Sequence, residues 1–312
     1  MLKMLKKHWI LIIGFLVLDI FILVITTVKT KYCVYFPGEV SNINNTVKID
    51  GKDNSTNYYS TSVYYVNSVS LFQKFIYSKM KTATMYKKGK TPSYIESLQG
   101  EIEHNSAIYS SIISAYNMAG VTLDYEYVGT YVYDTTSTKL NVGDVVLGSS
   151  LEECINNLNN SEIKILRNNK ETTISLDEGD KVRLEYPYYE INDESIIVYD
   201  SNNEGPSAGF MQSLKLYDDL VEENLAANYK IAGTGTIDID GNVGAIGCID
   251  LKIYTAIYNK CDIFFIPEEN KEEAEKALKD IDTNMVIIYT STLSDAINYL
   301  RGIEEWKSII MK

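Results

Sequence analysis

The 312-residue chain has 29 lysine and arginine residues against 42 aspartate and glutamate residues, a formal net charge of −13. At 45% hydrophobic and 23% charged residues, its composition is that of a folded protein and not of a disordered one. The acidity argues against a nucleic-acid partner, which requires clustered basic surface. With only two histidines, the chain cannot build a metal centre on several histidine ligands, and a hydrolase would need another general base. We expect no metal and no cofactor.

The first predicted element is a membrane anchor. Residues 9–28 are twenty mostly apolar residues, which span about 30 Å as a helix. No small-residue cleavage site follows, so we predict an uncleaved single-pass anchor. Three lysines in residues 1–8, against Lys29 and Lys31 after the span, predict that residues 1–8 are cytoplasmic and the remainder extracellular. Asp19 lies mid-span, either as a contact between helices or as a protonated or locally hydrated carboxylate.

The elements beyond the anchor mix strands and helices without strict alternation, which predicts an α+β fold. Alternating residues between 32 and 81 predict strands, and a helix is predicted over 106–119, ended by Gly120. Later predictions are strands at 128–133, 163–167 and 172–176, a helix at 150–158, strands within 185–200, a helix to about 220, a hairpin at 231–246, a helix at 249–260, a strand at 263–266, a helix at 268–281, a strand at 286–289 and a helix at 293–300.

Two familiar site types are excluded. No two of the four cysteines have C-x-x-C spacing, so neither a zinc ribbon nor a thioredoxin-like site is predicted. Gly89-Lys90-Thr91 resembles the end of a phosphate-binding loop, but Thr84 stands where that loop needs glycine and no strand is predicted before it. We therefore predict no ATPase module.

Ser207 is the candidate nucleophile. It lies in the run Gly205-Pro206-Ser207-Ala208-Gly209, directly before a helical pattern. Proline presets the first turn of a helix, glycine lets a ligand approach, and the free N–H groups there can stabilise an oxyanion. From these residues alone, Ser207 is equally well interpreted as a helix cap.

Two motifs resemble the signatures of the Lon protease proteolytic domain. The run around Ser207 resembles the first, and Gly233 to Lys252 resembles the second. The resemblance implies that Ser207 is the nucleophile, that Lys252 is its general base, and that the Thr234 hydroxyl binds the lysine. Glu204 takes the place of the family's acidic residue before Gly-Pro-Ser. The resemblance covers about residues 185–300.

The chain departs from this family at Cys248, which replaces a glycine, and at Asp250, where many members have a basic residue. Asp238 and Asp240 form either a carboxylate pair or, as we prefer, a hairpin turn with Asp238 in solvent. We place Lys215 and Lys230 on a solvated surface. His104 is interpreted as a surface or capping residue.

The order of segments resembles the membrane-anchored PDZ–Lon proteases of Gram-positive bacteria. Leu140 to Val146 resembles a PDZ segment, although no carboxylate-binding loop is evident, so peptide capture by strand addition and a purely positioning role both stay open. We predict an N-terminal β/α region at 32–120, a degenerate PDZ-like module at 121–184 and a Lon-type proteolytic domain at 185–312. The resemblance implies an ATP-independent endopeptidase for extracellular or membrane-proximal peptides and proteins, and a possible hexamer.

Two other functions compete with this one. A catalytically inactive, PDZ-like adaptor would bind peptides at the cell surface without cutting them. A structural envelope protein would make the Ser207 and Lys252 motifs coincidental.

Overall fold

The computed structural model describes residues 2–52, 56–160, 162–199, 204–279 and 281–310. The helices within these residues are α1 (Leu2–Thr27), α2 (Leu71–Tyr77), α3 (Ser93–Ala119), α4 (Leu151–Asn157), α5 (Gly209–Val221), α6 (Ile249–Tyr258), α7 (Lys271–Leu278) and α8 (Leu293–Ile310). The strands are β1 (Tyr32–Asn42), β2 (Val47–Ile49), β3 (Tyr58–Val66), β4 (Thr84–Lys87), β5 (Tyr125–Thr135), β6 (Val145–Leu147), β7 (Ile163–Arg167), β8 (Lys170–Ile174), β9 (Val182–Ile191), β10 (Ile196–Val198), β11 (Ile231–Gly233), β12 (Thr236–Ile237), β13 (Val243–Gly244), β14 (Ile263–Pro267) and β15 (Val286–Thr290). The predicted α+β fold is confirmed.

The chain divides into two units, of which the first is the smaller. It comprises Met1–Gly38 and Val63–Lys90. Here β1 pairs antiparallel with β4, from Tyr32 opposite Lys87 to Tyr35 opposite Thr84. Within α1, His8–Thr27 is long and apolar enough to cross a membrane, and among the described residues it is the one helix with this property.

The second unit, Glu39–Ser62 and Thr91–Lys312, is built on a parallel sheet. Its strands follow the order β15-β14-β11-β3, with Ile231 opposite both Ile263 and Tyr58. Strands buried on both faces must be apolar throughout, and β14 is buried at all five residues. This sheet supports both ends of the second candidate motif, because β11 leads into Thr234 and α6, which carries Lys252, leads into β14.

A separate antiparallel sheet occupies most of the predicted PDZ-like segment. Its order is β8-β7-β6-β5-β9, and it covers its own core with α4. Asp144, within the segment that resembles PDZ domains, is buried and accepts two hydrogen bonds from the guanidinium of Arg167, at 2.7 and 2.6 Å. The PDZ-like identity of this module stays a prediction.

Helices α3 and α5 pack together in the largest hydrophobic core. That core combines Ile108 and Ile112 of α3 with Phe210 and Leu214 of α5, and it also includes Tyr58 of β3. Side chains from the predicted 32–120 region therefore share a core with those from the predicted 185–312 domain. The proposed boundaries near residues 120 and 184 stay predictions.

Several local predictions were wrong. The helix predicted over 106–119 begins thirteen residues earlier, at Ser93, although it ends as predicted before Gly120, whose φ is +67°. Residues 71–77 are helical and not extended, because Ser70 and Gln73 form a capping box. Strand β4 precedes Gly89, but it occupies the positions that a phosphate-binding loop would use.

Lys215 was also predicted wrongly. Its side chain is fully buried and forms an ion pair with Asp219, one turn later on α5. Helix α5 is buried on almost every side, so its sequence offers no solvated face for a lysine. The pairing places the two opposite charges side by side within the helix.

Candidate active site

Ser207 lies in the short loop that leads into α5. Its backbone carbonyl accepts hydrogen bonds from the Gly235 N–H at 2.9 Å and from the Thr234 hydroxyl at 3.2 Å. The N–H of Phe210 in turn donates to the Gly235 carbonyl at 3.1 Å. The loop is therefore fixed to the segment that follows β11, which brings the two signature motifs together.

Helix α3 holds the other end of this loop. The Ser97 hydroxyl donates to the Glu204 carboxylate, and the Gly205 N–H donates to the Gly100 carbonyl at 2.9 Å. A side chain at Gly100 would bring its Cβ within 2.8 Å of the Glu204 Cβ, so glycine is required for this close approach. Gly205 has φ +86°, a backbone conformation that favours glycine.

His104 belongs to the same contact and not to the surface, which corrects the prediction. Only 5% of its side chain is exposed, and it makes a hydrogen bond with the backbone of Gly205. Burial lowers the pKa of His104, and this hydrogen bond partly opposes the effect. The histidine thus supports the loop before Ser207 from a buried position on α3.

Lys252 reaches Ser207 from the first turn of α6. Its Nζ lies 2.6 Å from the Ser207 Oγ and 3.0 Å from the Thr234 Oγ1. The side chain is 5% exposed. Burial lowers the pKa of Lys252 to about 8, although the Coulomb interaction with the nearby Cys248 side chain acts in the opposite direction. A lysine with this pKa is partly neutral near pH 8 and can accept a proton.

The start of α6 is fixed by an asparagine. The Asn270 side chain both accepts from the Ile246 N–H and donates to the Ile246 carbonyl, each at 2.9 Å. Cys248, the residue before α6, has φ +58°, which explains why a glycine suits this position. These contacts orient the helix that carries Lys252.

The remaining predicted residues surround the nucleophile. The Pro206 carbonyl accepts from the Gly209 N–H at 3.1 Å. A Cβ at Gly209 would lie 3.0 Å from Ile237 and 3.3 Å from Ala107, so α5 begins in close contact with both α3 and β12. Ala208 follows the nucleophile directly and is the residue before α5, a position where a backbone N–H can stabilise an oxyanion.

An open cleft of about 480 Å³ begins beside Pro206. Its walls are α3, through Ser106 and Ser110, and the β12–β13 hairpin, while Tyr186 and Tyr189 of β9 contribute aromatic surface. The cleft is large enough for side chains of a peptide, and it lies next to the predicted nucleophile.

Asp238 belongs to the hairpin and not to a carboxylate pair. Its carboxylate accepts from the N–H groups of Asp240 and Asn242 at 3.0 and 2.8 Å, and from the Asn242 side chain. The side chain faces solvent, as preferred above. In the part of the chain that the structure describes, no group of three or more metal-ligating side chains is present.

Residues 179–301 match the model of the C-terminal proteolytic domain of Lon protease, family S16. This part of the chain, which contains Ser207, Thr234 and Lys252, is therefore similar to a Lon proteolytic domain. The domain start at residue 185 stays a prediction.

Two Lon proteases are similar to the chain over this region. That of Campylobacter jejuni is 32% identical over 142 residues, which is 40% of this chain and 17% of the Campylobacter protein. That of Aster yellows witches'-broom phytoplasma is 30% identical over 95 residues, 30% of this chain and 12% of its own length. The chain thus matches less than one fifth of either relative.

Some site residues could not be found from motifs. Ser97, Gly100 and Asn270 hold the two catalytic segments, yet Ser97 is 107 residues from its partner Glu204. Asn270 did fall within the stretch that resembles Lon, but its contact with Ile246 was not predicted. Only the three-dimensional arrangement reveals that α3 is part of the site.

Proposed function

We propose that the Lon-type domain is a serine endopeptidase in which Ser207 is the nucleophile and Lys252 the general base. The observation that carries this proposal is the 2.6 Å contact between the Ser207 Oγ and a buried lysine whose pKa is about 8. A serine hydroxyl is a weak nucleophile unless a base removes its proton. Lys252 is placed to do so, and Thr234 orients it.

The reaction proceeds through an acyl-enzyme. Neutral Lys252 accepts the Ser207 proton while Oγ attacks the peptide carbonyl, and the Ala208 N–H stabilises the oxyanion. Protonated Lys252 then transfers its proton to the leaving amine, and the peptide bond breaks. Water, deprotonated by Lys252, hydrolyses the ester and restores Ser207. The substrate lies in the cleft beside Pro206.

The domain works without an ATPase on substrates outside the cell. The sequence contains no complete phosphate-binding loop, which supports ATP independence. The apolar His8–Thr27 segment and the lysines before it support a single-pass anchor with the catalytic domain extracellular. Without an unfoldase, suitable substrates are peptides and flexible protein segments. A hexameric assembly is an expectation of the resemblance.

The test uses the full chain in detergent with a mixture of unstructured peptides and no nucleotide. We expect cleavage by the wild type and loss of cleavage in Ser207→Ala. Ser291→Ala, which removes an exposed hydroxyl, should cleave normally. Intact-mass spectrometry with a mechanism-based serine inhibitor should show one adduct, located on Ser207.

Two results would contradict the proposal. Cleavage retained by Ser207→Ala would remove the serine from the mechanism. A folded wild type that neither cleaves nor forms the adduct, but still binds peptides, would favour the inactive adaptor.

A further inference from the structure

Helix α2 presents an apolar face to its surroundings. Four residues of this helix, Leu71, Phe72, Phe75 and Ile76, lie on one side, because 71 and 75, and likewise 72 and 76, are four positions apart and 72 and 75 are three apart. Met80 follows one turn later. We call these five residues the α2 patch. Phe75 is 64% exposed and Phe72 is 47% exposed, which is unusual for large aromatic side chains on a water-facing surface.

The start of α2 is bonded to the end of the apolar helix α1. The Leu71 N–H donates to the Val28 carbonyl at 3.3 Å, and the Thr30 N–H donates to the Val69 carbonyl at 2.8 Å. Lys29 and Ser70 form a β-bridge between these two contacts. The position of α2 relative to the last turn of α1 is therefore set by backbone hydrogen bonds.

The opposite side of α2 is already occupied within the same unit. The Tyr77 and Phe36 rings meet edge to face with 5.0 Å between centroids. The Lys74 ammonium lies 3.6 Å from the centre of the Tyr32 ring. The helix is thus held against β1 by one side, and the α2 patch is the side left over.

Simple lengths limit how far the α2 patch can be from a bilayer. The twenty residues His8–Thr27 match a hydrocarbon core of about 30 Å, which places Val28 and Leu71 at its boundary. Phe75 is four residues beyond Leu71, or about 6 Å along the helix. The headgroup layer is itself about 5–7 Å thick on each side. Phe75 therefore cannot leave this layer by much, whichever way α2 points.

We propose that the α2 patch lies in the headgroup layer of the membrane and forms a second lipid contact beside the anchor. Aromatic and aliphatic side chains favour this depth, and the exposed Lys79 can reach anionic headgroups while its aliphatic stem covers apolar surface. This inference rests on the proposed anchor. It goes beyond it, because a single span fixes neither the tilt nor the rotation of the unit attached to it, whereas two contacts do.

The experiment measures how deeply single labelled residues of the full chain lie in the membrane. Cys248→Ser first removes the one partly exposed thiol, which leaves three buried cysteines. Phe75→Cys and, independently, Phe72→Cys are then labelled with an environment-sensitive fluorophore. The protein is reconstituted in phosphatidylcholine vesicles with a minor fraction of phosphatidylglycerol, carrying a doxyl quencher either near the headgroup or near the end of the acyl chain.

Two reference positions calibrate the measurement. Asp19→Cys reports the anchor and should be quenched most by the deep doxyl group. Glu272→Cys, a charged and exposed position on α7, should be quenched by aqueous iodide and not by lipid. We expect the probes at 72 and 75 to show blue-shifted emission and the strongest loss of fluorescence with the doxyl group near the headgroup.

The readings separate the two proposals. Probes at 72 and 75 that behave like the one at Glu272 overturn the lipid contact, even if Asp19 is quenched as expected. Probes shielded from both iodide and lipid also overturn it, because a second copy or another protein then covers the α2 patch. An unquenched probe at Asp19 contradicts the anchor alone, since the readings at 72 and 75 still decide the contact.

Discussion

Two lysines in the catalytic unit are buried to nearly the same extent, yet their surroundings differ. Lys215 has no exposed surface and lies against the carboxylate of Asp219. Lys252 is 5% exposed, and its nearest polar partners are the uncharged hydroxyls of Ser207 and Thr234. Because no carboxylate in the part of the chain that the structure describes compensates the ammonium of Lys252, burial lowers its pKa. The charge of the neighbouring side chains, more than the extent of burial, decides whether a buried lysine serves as an ion-pair partner or as a base.

The largest effect should come from making the charge at Lys252 permanent. In Lys252→Arg the side chain stays protonated and cannot accept the Ser207 proton. We expect kcat to fall by about 10⁴-fold. Peptide cleavage by the two variants Lys252→Arg and Lys215→Arg, measured side by side, checks this prediction. Lys215→Arg should keep its ion pair and most of its activity. Equal loss in both variants would mean that the two lysines do not differ as described.

The contribution of the Lys215–Asp219 ion pair to stability can be measured by replacing the aspartate. Asp219→Asn leaves the Lys215 ammonium buried without a counter-charge, and we expect the free energy of unfolding to fall by about 3 kcal/mol. Denaturant unfolding followed by circular dichroism measures the change. Asp282→Asn, at an exposed position before β15, is the control and should change little. A stable Asp219→Asn variant would show that Lys215 has another source of compensation.

The pH dependence of activity should report Lys252 directly. The base is active when neutral, so kcat/KM should rise with pH and level off above the pKa of about 8. At pH 6, two units below, about 1% of the lysine is neutral, which predicts kcat/KM about 100-fold below the plateau. The substrate must not titrate in this range.

Cys248→Ser sharpens the same measurement. Since the Coulomb interaction with Cys248 raises the pKa of Lys252, replacing the thiol should shift the rise of kcat/KM to lower pH. A kcat/KM that falls with increasing pH, or that does not change between pH 6 and 9, would argue against a neutral lysine base.

The smallest effect should follow loss of the Thr234 hydroxyl. Thr234→Val keeps the shape but removes the 3.0 Å contact with Lys252 and the 3.2 Å bond to the Ser207 carbonyl. We expect kcat to fall about tenfold, which corresponds to about 1.4 kcal/mol for the two contacts together. Thr236→Val, two residues further and beside the cleft, should affect KM more than kcat. An inactive Thr234→Val would make the threonine essential and not merely orienting.

The sequence predicted the centre of the site better than its supports. Ser207 and Lys252 lie 45 residues apart, and two motifs in the expected order were enough to place them together. The support from α3 could not be foreseen. Ser97, Gly100 and His104 belong to no motif, and they lie about one hundred residues before the loop that they contact. The periodicity of apolar residues predicted the ends of most strands and helices in the last third of the chain, where that periodicity is strong.

Burial of polar residues was the main failure. Lys215 and His104 were both assigned to the surface, since a charged or titratable side chain is buried only when a partner compensates it. Those partners, Asp219 and the Gly205 backbone, become visible only once the helices are packed. The capping box of α2 was present in the sequence and could have been recognised.

The pairing of β3 with β11 has a consequence for when the enzyme becomes active. Tyr58 lies beside Ile231, and Asn57 bonds to the Ala227 carbonyl across 170 residues of chain. Closing so long a loop delays folding, and β11 must also receive β14 before the sheet is complete. Ser207 is synthesised before β11 and β14, so the sheet that brings Lys252 to it can be complete only after residue 267 has been made. Until then a growing chain is flexible, and so suitable as a substrate, yet it cannot cut another chain.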